Sequence, residues 1–207
     1  MSNRSIHTLL KSWDEECPLT REEAVEVLNL PEEEMDSLME CAYALRTKYK
    51  GKKVSVQLLT NVRSGNCTQN CAYCAQSKDS QAEIEKYKRV SDEKLYGDND
   101  LVDEKHLARH CIGLSGIGFS DEEIEDLADR IREMKKKDTQ ICCSIGFLTE
   151  KQARILKDAG LDRINHNLNS SRSFYPEICT THTYDQRVNN IKMLQSLGFE
   201  ICSGGIV

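Results

Sequence analysis

Gln140–Gly160 reads QICCSIGFLTEKQARILKDAG, and this stretch decides the fold class. Its first eight residues form a β-rich run. Thr149 followed by Gln152 is a capping box, so a helix starts at once, runs through Leu156 and stops at Ala159-Gly160. A strand that hands over directly to a capped helix is half of a βαβ unit, and the same order recurs on both sides. Upstream, RHCIGLSG from Arg109 leads to Ser120 with Glu123, a second capping box. The helix it opens carries an apolar stripe of Ile124, Leu127, Ala128, Ile131 and Met134. Downstream, RINHNLN (Arg163–Asn169) is a third run. After a loop, Thr183 with Gln186 caps a helix bearing Val188, Ile191, Leu194 and Leu197, which Gly198 ends. EICSGGIV (Glu200–Val207) is the last strand and VSVQLLT (Val54–Thr60) the first, which makes five. Strands alternating with amphipathic helices predict a parallel sheet. Between Ser77 and His110, Gly97-Asp98-Asn99 interrupt the first crossover, so that segment reads as loop plus a broken or short helix.

The chain divides into an N-terminal helical segment, residues 1–52, and a strand–helix region, residues 53–207. Thr20 with Glu23 caps the first helix, and Pro31 is placed to open a second, whose Met35, Leu38, Met39, Ala42 and Leu45 share one face. Gly51 stops it after Lys48 and Lys50.

Splitting each strand by alternation gives two faces. Ile141, Cys143 and Ile145 fall on one, Cys142 with Ser144 and Gly146 on the other. Cys111 falls with Arg109, Gly113 and Ser115, opposite His110 and Ile112. Asn165, Asn167 and Asn169 fall together, opposite Ile164, His166 and Leu168. Cys202 falls with Glu200 and Gly204. If the sheet curls into a (β/α) barrel, these less apolar faces converge on one interior, with a site at the C-terminal strand ends. An open doubly wound sheet is the alternative, and no G-x-G-x-x-G turn supports it.

At 207 residues and a net charge of -6 the chain fits one or two domains without a large nucleic-acid footprint. No stretch has the length of a membrane span, and the polar N-terminus has no signal-peptide features, so a cytoplasmic location is expected. In a reducing compartment ten cysteines point to metal or redox chemistry rather than disulfides. Cys67, Cys71 and Cys74 are spaced C-x3-C-x2-C in one polar loop after the first strand. Soft thiolates select zinc, copper(I) or iron–sulfur clusters. A structural zinc site takes four ligands, usually from paired C-x2-C arms, and only one such arm is present. A cubane held by three cysteines leaves one iron open for a small molecule.

This spacing, with Tyr73 before the last cysteine, resembles the radical S-adenosylmethionine (SAM) superfamily. SGNCTQNCAYCAQS (Ser64–Ser77), RINHNLN, TTHTYDQR (Thr180–Arg187) and CSGGIV (Cys202–Val207) resemble, in that order, successive signatures of the biotin synthase family within it. The resemblance implies an incomplete TIM barrel of the radical SAM type, about five of eight βα units, in a fragment or half of a split protein. It implies a [4Fe-4S] cluster on Cys67, Cys71 and Cys74, with Tyr73, Asn169 and Arg187 at SAM and Arg187 on its carboxylate. Asn167 is implied to bind the ureido ring of dethiobiotin. Many family members carry Asp where this chain has Asn169. Cys111, Cys142 and Cys202 resemble the ligands of an auxiliary cluster, [2Fe-2S] or larger, that donates sulfur; Cys143, beside Cys142, stays open as an alternative. Flavodoxin or ferredoxin as reductant and a homodimer are further implications. The other readings are a remnant that binds one cluster only, or another radical SAM enzyme such as a maturase. Cys17, Cys41 and Cys179 read as buried thiols, and His166 as a structural histidine.

Overall fold

The computed structural model describes residues 19–206, so Cys17 and the final residue of the last predicted run lie outside the described residues. The chain divides into two compact units at Val54/Ser55. In the first, α1 (Arg21–Leu28) begins with the Thr20/Glu23 capping box, both of its hydrogen bonds being present. Pro31 opens a 3-10 turn (Glu32–Glu34) rather than the helix itself, which follows as α2 (Met35–Lys50). Gly51 ends α2 at φ 64°, a conformation that costs glycine nothing.

In the second unit, β1 (Gln57–Arg63), β2 (Arg109–Leu114), β3 (Ile141–Ser144), β4 (Arg163–Asn165) and β5 (Glu200–Cys202) form one sheet in the order β1-β2-β3-β4-β5, with every pairing parallel. Between them run α3 (Asp92–Glu104), α4 (Asp121–Met134), α5 (Glu150–Asp158), the short α6 (Tyr175–Ile178) and α7 (Tyr184–Ser196). Strand order equals chain order with no reversal, so there is no topological switch point. This is the winding of a partial (β/α) barrel, not of a doubly wound sheet.

The capping boxes form where spacing predicts them, at Ser120/Glu123, Thr149/Gln152 and Thr183/Gln186. On α4, Ile124, Leu127, Ala128, Ile131 and Met134 are all buried. They join Ile112, Ile141, Cys143, Leu156, Ile164 and Leu194 in the core between helices and sheet. Each such aliphatic side chain contributes about 1.5–3 kcal/mol relative to exposure. The opposite face of the sheet carries Cys111, Gly113, Cys142, Ser144, Arg163 and Asn165, as alternation requires.

Three expectations change. First, α3 runs unbroken through Gly97-Asp98-Asn99. Local propensity disfavours these residues in a helix, but tertiary bonds hold them there. Thr60 donates its hydroxyl to Asp98 Oδ2 at 2.6 Å, and Asn99 Nδ2 donates to the Met134 carbonyl at 3.1 Å. Buried His110 lies between them, Nε2 2.8 Å from Thr60 Oγ1 and Nδ1 3.2 Å from Asn99 Oδ1. Burial alone would raise the Asp98 carboxyl; Lys94 and Thr60 outweigh it and hold the group below its usual range. Second, β1 starts three residues later than predicted, because pairing with β2 begins at Gln57 opposite Arg109, while Val54 and Val56 stay exposed. Third, β4 ends at Asn165, and β5 ends at Cys202. Beyond them only the Asn169–Gly205 bridge continues the pairing.

Candidate functional site

The cysteine loop begins where β1 must leave the sheet. Ser64 makes an antiparallel bridge with Tyr87, and Gly65 (φ 72°) and Asn66 (φ 54°) then turn the chain through two left-handed conformations. Glycine and asparagine accept that region at low cost. The Gly65 carbonyl accepts from Ser115 Oγ at 2.6 Å, and the Gly65 N–H donates to the Gln76 side chain, so the start of the loop is tied to the end of β2 and to the loop's own far end.

The far side of the loop is fixed by the segment after α6. Asn70 Oδ1 accepts from the backbone N–H groups of Thr180 (3.1 Å) and Thr181 (3.3 Å), and its Nδ2 donates to Thr180 Oγ1 at 2.7 Å. The Ala72 N–H donates to the Ile178 carbonyl at 2.9 Å. TTHTYDQR and the cysteine motif therefore each fix the other's backbone.

Cys67, Cys71, Tyr73 and Cys74 line a cavity of about 300 Å³ at the C-terminal strand ends. Asn165, Asn167, Asn169 and Arg187 line the same cavity, so seven of the predicted site residues share one wall system, together with Asn165. Asn169 sits at φ 67°, with its N–H donating to the Gly204 carbonyl at 3.0 Å. Asn165 Oδ1 and Asn169 Nδ2 are buried without a hydrogen-bond partner, although buried polar groups normally have one. One acceptor and one donor are thus left for a polar ligand. Arg187 is held by Nε donating to Tyr175 Oη at 2.6 Å and Nη1 donating to the Asn167 carbonyl at 3.1 Å. Its Nη2 donates to His182 Nε2 at 2.9 Å. These bonds do not exhaust the five N–H groups of a guanidinium, whose fork suits a carboxylate.

Burial pushes the Cys71 thiol up to about 11, helped by Cys179 beside it. Burial also raises the Tyr73 phenol, with Cys71 adding to the shift. The donor set fits an iron–sulfur cluster on Cys67, Cys71 and Cys74: three soft sulfurs from one pinned loop, facing a cavity with room and polar groups for a further ligand.

The second predicted set lies on the strands themselves: Cys142 is buried, Cys111 half-buried and Cys202 exposed. Cys111 and Cys142 are register partners on β2 and β3, in the row that continues to Arg163 and Glu200. Cys202 belongs to the next row toward the cavity, opposite Asn165. Burial raises Cys111 and, with Cys111 next to it, pushes Cys142 up to about 12. Arg109 and Arg163 lie close enough to oppose both shifts, and both pair with Glu200. Cys143 is fully buried among core aliphatics on the helix side.

Two features escaped the sequence. His166 lines the cavity although alternation assigns it to the apolar face, because the chain has left the β4 ladder by then. It is 2% exposed and stacks edge-on to Phe147 at 5.2 Å. Cys179 is buried, as expected, but its Sγ lies 3.7 Å from Cys71 Sγ and 3.3 Å from His182 Nδ1. More than a hundred residues separate Cys71 from Cys179 in sequence, so no local signal reveals the contact. Cys41, on α2, is only partly buried rather than the buried thiol expected.

A family model described as the radical SAM superfamily matches residues 61–207. The chain is 40% identical over 190 residues to the biotin synthases of Geobacillus kaustophilus (strain HTA426) and Bacillus subtilis (strain 168). These matches cover 91% of this chain but 57% of each relative, so the chain spans little more than half their length. Among solved structures, methylornithine synthase (PylB) superposes with a TM-score of 0.84 at 17% identity, over 95% of this chain and 58% of that one. The [FeFe]-hydrogenase maturase HydG from Carboxydothermus hydrogenoformans gives 0.79 at 20% identity, over 97% and 48%. At such identities these likenesses speak for the fold alone. With the family model spanning the barrel strands and the cysteine loop, the chain belongs to the radical SAM superfamily.

Proposed function

We propose that this chain carries the SAM-binding part of a biotin synthase, a sulfurtransferase that converts dethiobiotin to biotin. The observation that carries the reading is that the Cys67, Cys71 and Cys74 loop opens onto the cavity lined by Arg187, Asn165, Asn167 and Asn169. When bound, a [4Fe-4S] cluster and SAM supply a 5'-deoxyadenosyl radical that abstracts hydrogen from unactivated carbon. The protein's share is orientation and exclusion of water. In this reading Cys67, Cys71 and Cys74 hold the cluster and Arg187 meets the SAM carboxylate. Asn169 meets the ribose with a neutral amide, and Asn167 meets the ureido group of dethiobiotin. Cys111, Cys142 and Cys202 hold an auxiliary sulfur-donating cluster, [2Fe-2S] or larger, below the cavity. A flavodoxin or ferredoxin delivers the electron, in the cytoplasm, and a homodimer is part of the same expectation. No helix among the described residues is long and apolar enough to cross a membrane.

A second reading is that this chain binds the SAM cluster but does not complete sulfur insertion; exposed Cys202, against buried Cys142, favours it. Anaerobic reconstitution, then incubation with SAM, dithionite and dethiobiotin, separates the two. The first reading expects 5'-deoxyadenosine that rises with dethiobiotin and a biotin product by mass spectrometry. SAM cleavage indifferent to dethiobiotin, with no biotin, supports the second.

A further inference from the structure

His182 immediately precedes the N-cap of α7, and Arg187 sits on the first turn and a little beyond. These two positions meet across a helix start, where many helices place an apolar pair. Here the pair is polar: Arg187 directs Nη2 (2.9 Å) and Nε (3.2 Å) at His182 Nε2. A guanidinium only donates, so Nε2 is the bare nitrogen and the single proton of the neutral imidazole sits on Nδ1. Nδ1 lies 3.0 Å from Gln69 Oε1, and the other end of that amide donates from Nε2 to Thr68 Oγ1 at 3.0 Å, which turns the oxygen toward the ring. The imidazole is 5% exposed, and the Phe147 and Tyr175 rings meet it edge-on at 5.6 and 5.9 Å. Its plane and its tautomer are therefore both set by neighbours.

We infer that His182, as the Nδ1–H tautomer, is a positioning residue that sets the Arg187 guanidinium for the SAM carboxylate and ties that setting to the cysteine loop through Gln69. The inference rests on the reading of Arg187 given above. Tyr175 Oη and the Asn167 carbonyl hold Nε and Nη1, whereas Nη2 is held by His182. One N–H on each terminal nitrogen is then left for a carboxylate. Gln69 stands between Cys67 and Cys71, and all of these residues except Tyr175 line the same cavity. Gln69, His182 and Arg187 thus form a relay from the loop that holds the thiols to the cation opposite them. Without the imidazole, Nη2 loses its acceptor and the fork is free to turn away from the cavity.

The test is titration of the reconstituted, reduced chain with SAM, following the change in its electron paramagnetic resonance signal and referring each dissociation constant to assembled cluster. His182→Ala should weaken SAM binding about tenfold or more, the loss of one hydrogen bond to a charged group. His182→Gln carries an amide oxygen where Nε2 stands and should stay within about threefold of wild type, whereas His182→Asn keeps a donor only where Nδ1 stands and should be as weak as His182→Ala. In an Arg187→Met background, adding His182→Ala should change binding by less than about twofold, because the effect runs through the arginine. Wild-type affinity in His182→Ala, equal losses in the Gln and Ala variants, or a full His182→Ala loss in the Arg187→Met background overturns the positioning role while SAM binding itself stands. A wild-type signal indifferent to SAM instead removes the reading of Arg187 on which the role depends, and the role with it.

Discussion

Gly146→Ala should destabilise the protein through a single methyl group. Gly146 follows β3 and lies against Ile117 in the loop after β2, and both line the cavity. A Cβ at Gly146 would stand 2.3 Å from the Ile117 carbonyl oxygen, 2.5 Å from its carbon and 2.7 Å from Cα. These are backbone atoms, so no side-chain rotation relieves the clash. The Ile117 carbonyl is also committed, accepting the Phe147 N–H at 2.7 Å, and a shift large enough to admit the methyl stretches that bond. Overpacking of this kind costs about 1–3 kcal/mol. Losing the buried hydrogen bond adds roughly 1–2 kcal/mol. For a chain of this length that lowers the midpoint of thermal unfolding by about 5–15 °C, measured by circular dichroism. Gly97→Ala is the control with the opposite sign. Gly97 lies exposed inside α3 with nothing within 4 Å of an added Cβ, so alanine should add about 0.5–1 kcal/mol. A Gly146→Ala midpoint within about 1 °C of wild type would refute the close-approach argument.

Thr60→Val keeps the side-chain shape but removes the hydroxyl between Asp98 and His110, and should cost about 1–3 kcal/mol in urea unfolding. Acid should weaken the fold between pH 6.5 and 4. Burial, with Arg187 nearby, holds both His166 and His182 at about 4, so the unfolded chain binds more protons across that window. Their stabilising contribution is complete above the unfolded value and is lost as pH falls through the folded one, on the order of 2–3 kcal/mol per histidine. Unfolding midpoints at pH 7 and 5 should differ, and His182→Gln should shrink the difference. Cys111→Ala should leave the iron content attributable to the cysteine loop unchanged, because Cys111 lies on β2 below the cavity. Loss of that iron would mean the two thiol sets are not separate.

Much of this architecture is legible in the chain because its signals are local. Thr149 with Gln152 and Ser120 with Glu123 mark helix starts within a four-residue window. Strand alternation separates Cys142 from Cys143 because β3 pairs regularly along its length. The same rule fails at His166, where the ladder has already ended, and nothing within RINHNLN announces that point. Gly97-Asp98-Asn99 misleads for a related reason. Propensity weighs a residue against water and its near neighbours, whereas Asp98 and Asn99 take their hydrogen bonds from Thr60 and Met134, far off in sequence. Cys179 is the extreme case: only the fold brings it to Cys71.

The most direct test of the account is anaerobic reconstitution of the chain with iron and sulfide, followed by electron paramagnetic resonance of the reduced protein with and without SAM. A [4Fe-4S] signal that changes shape on SAM addition, and that Cys67→Ala abolishes, is the predicted result. A chain that takes up no cluster, or a SAM-indifferent signal that persists in Cys67→Ala, would contradict it.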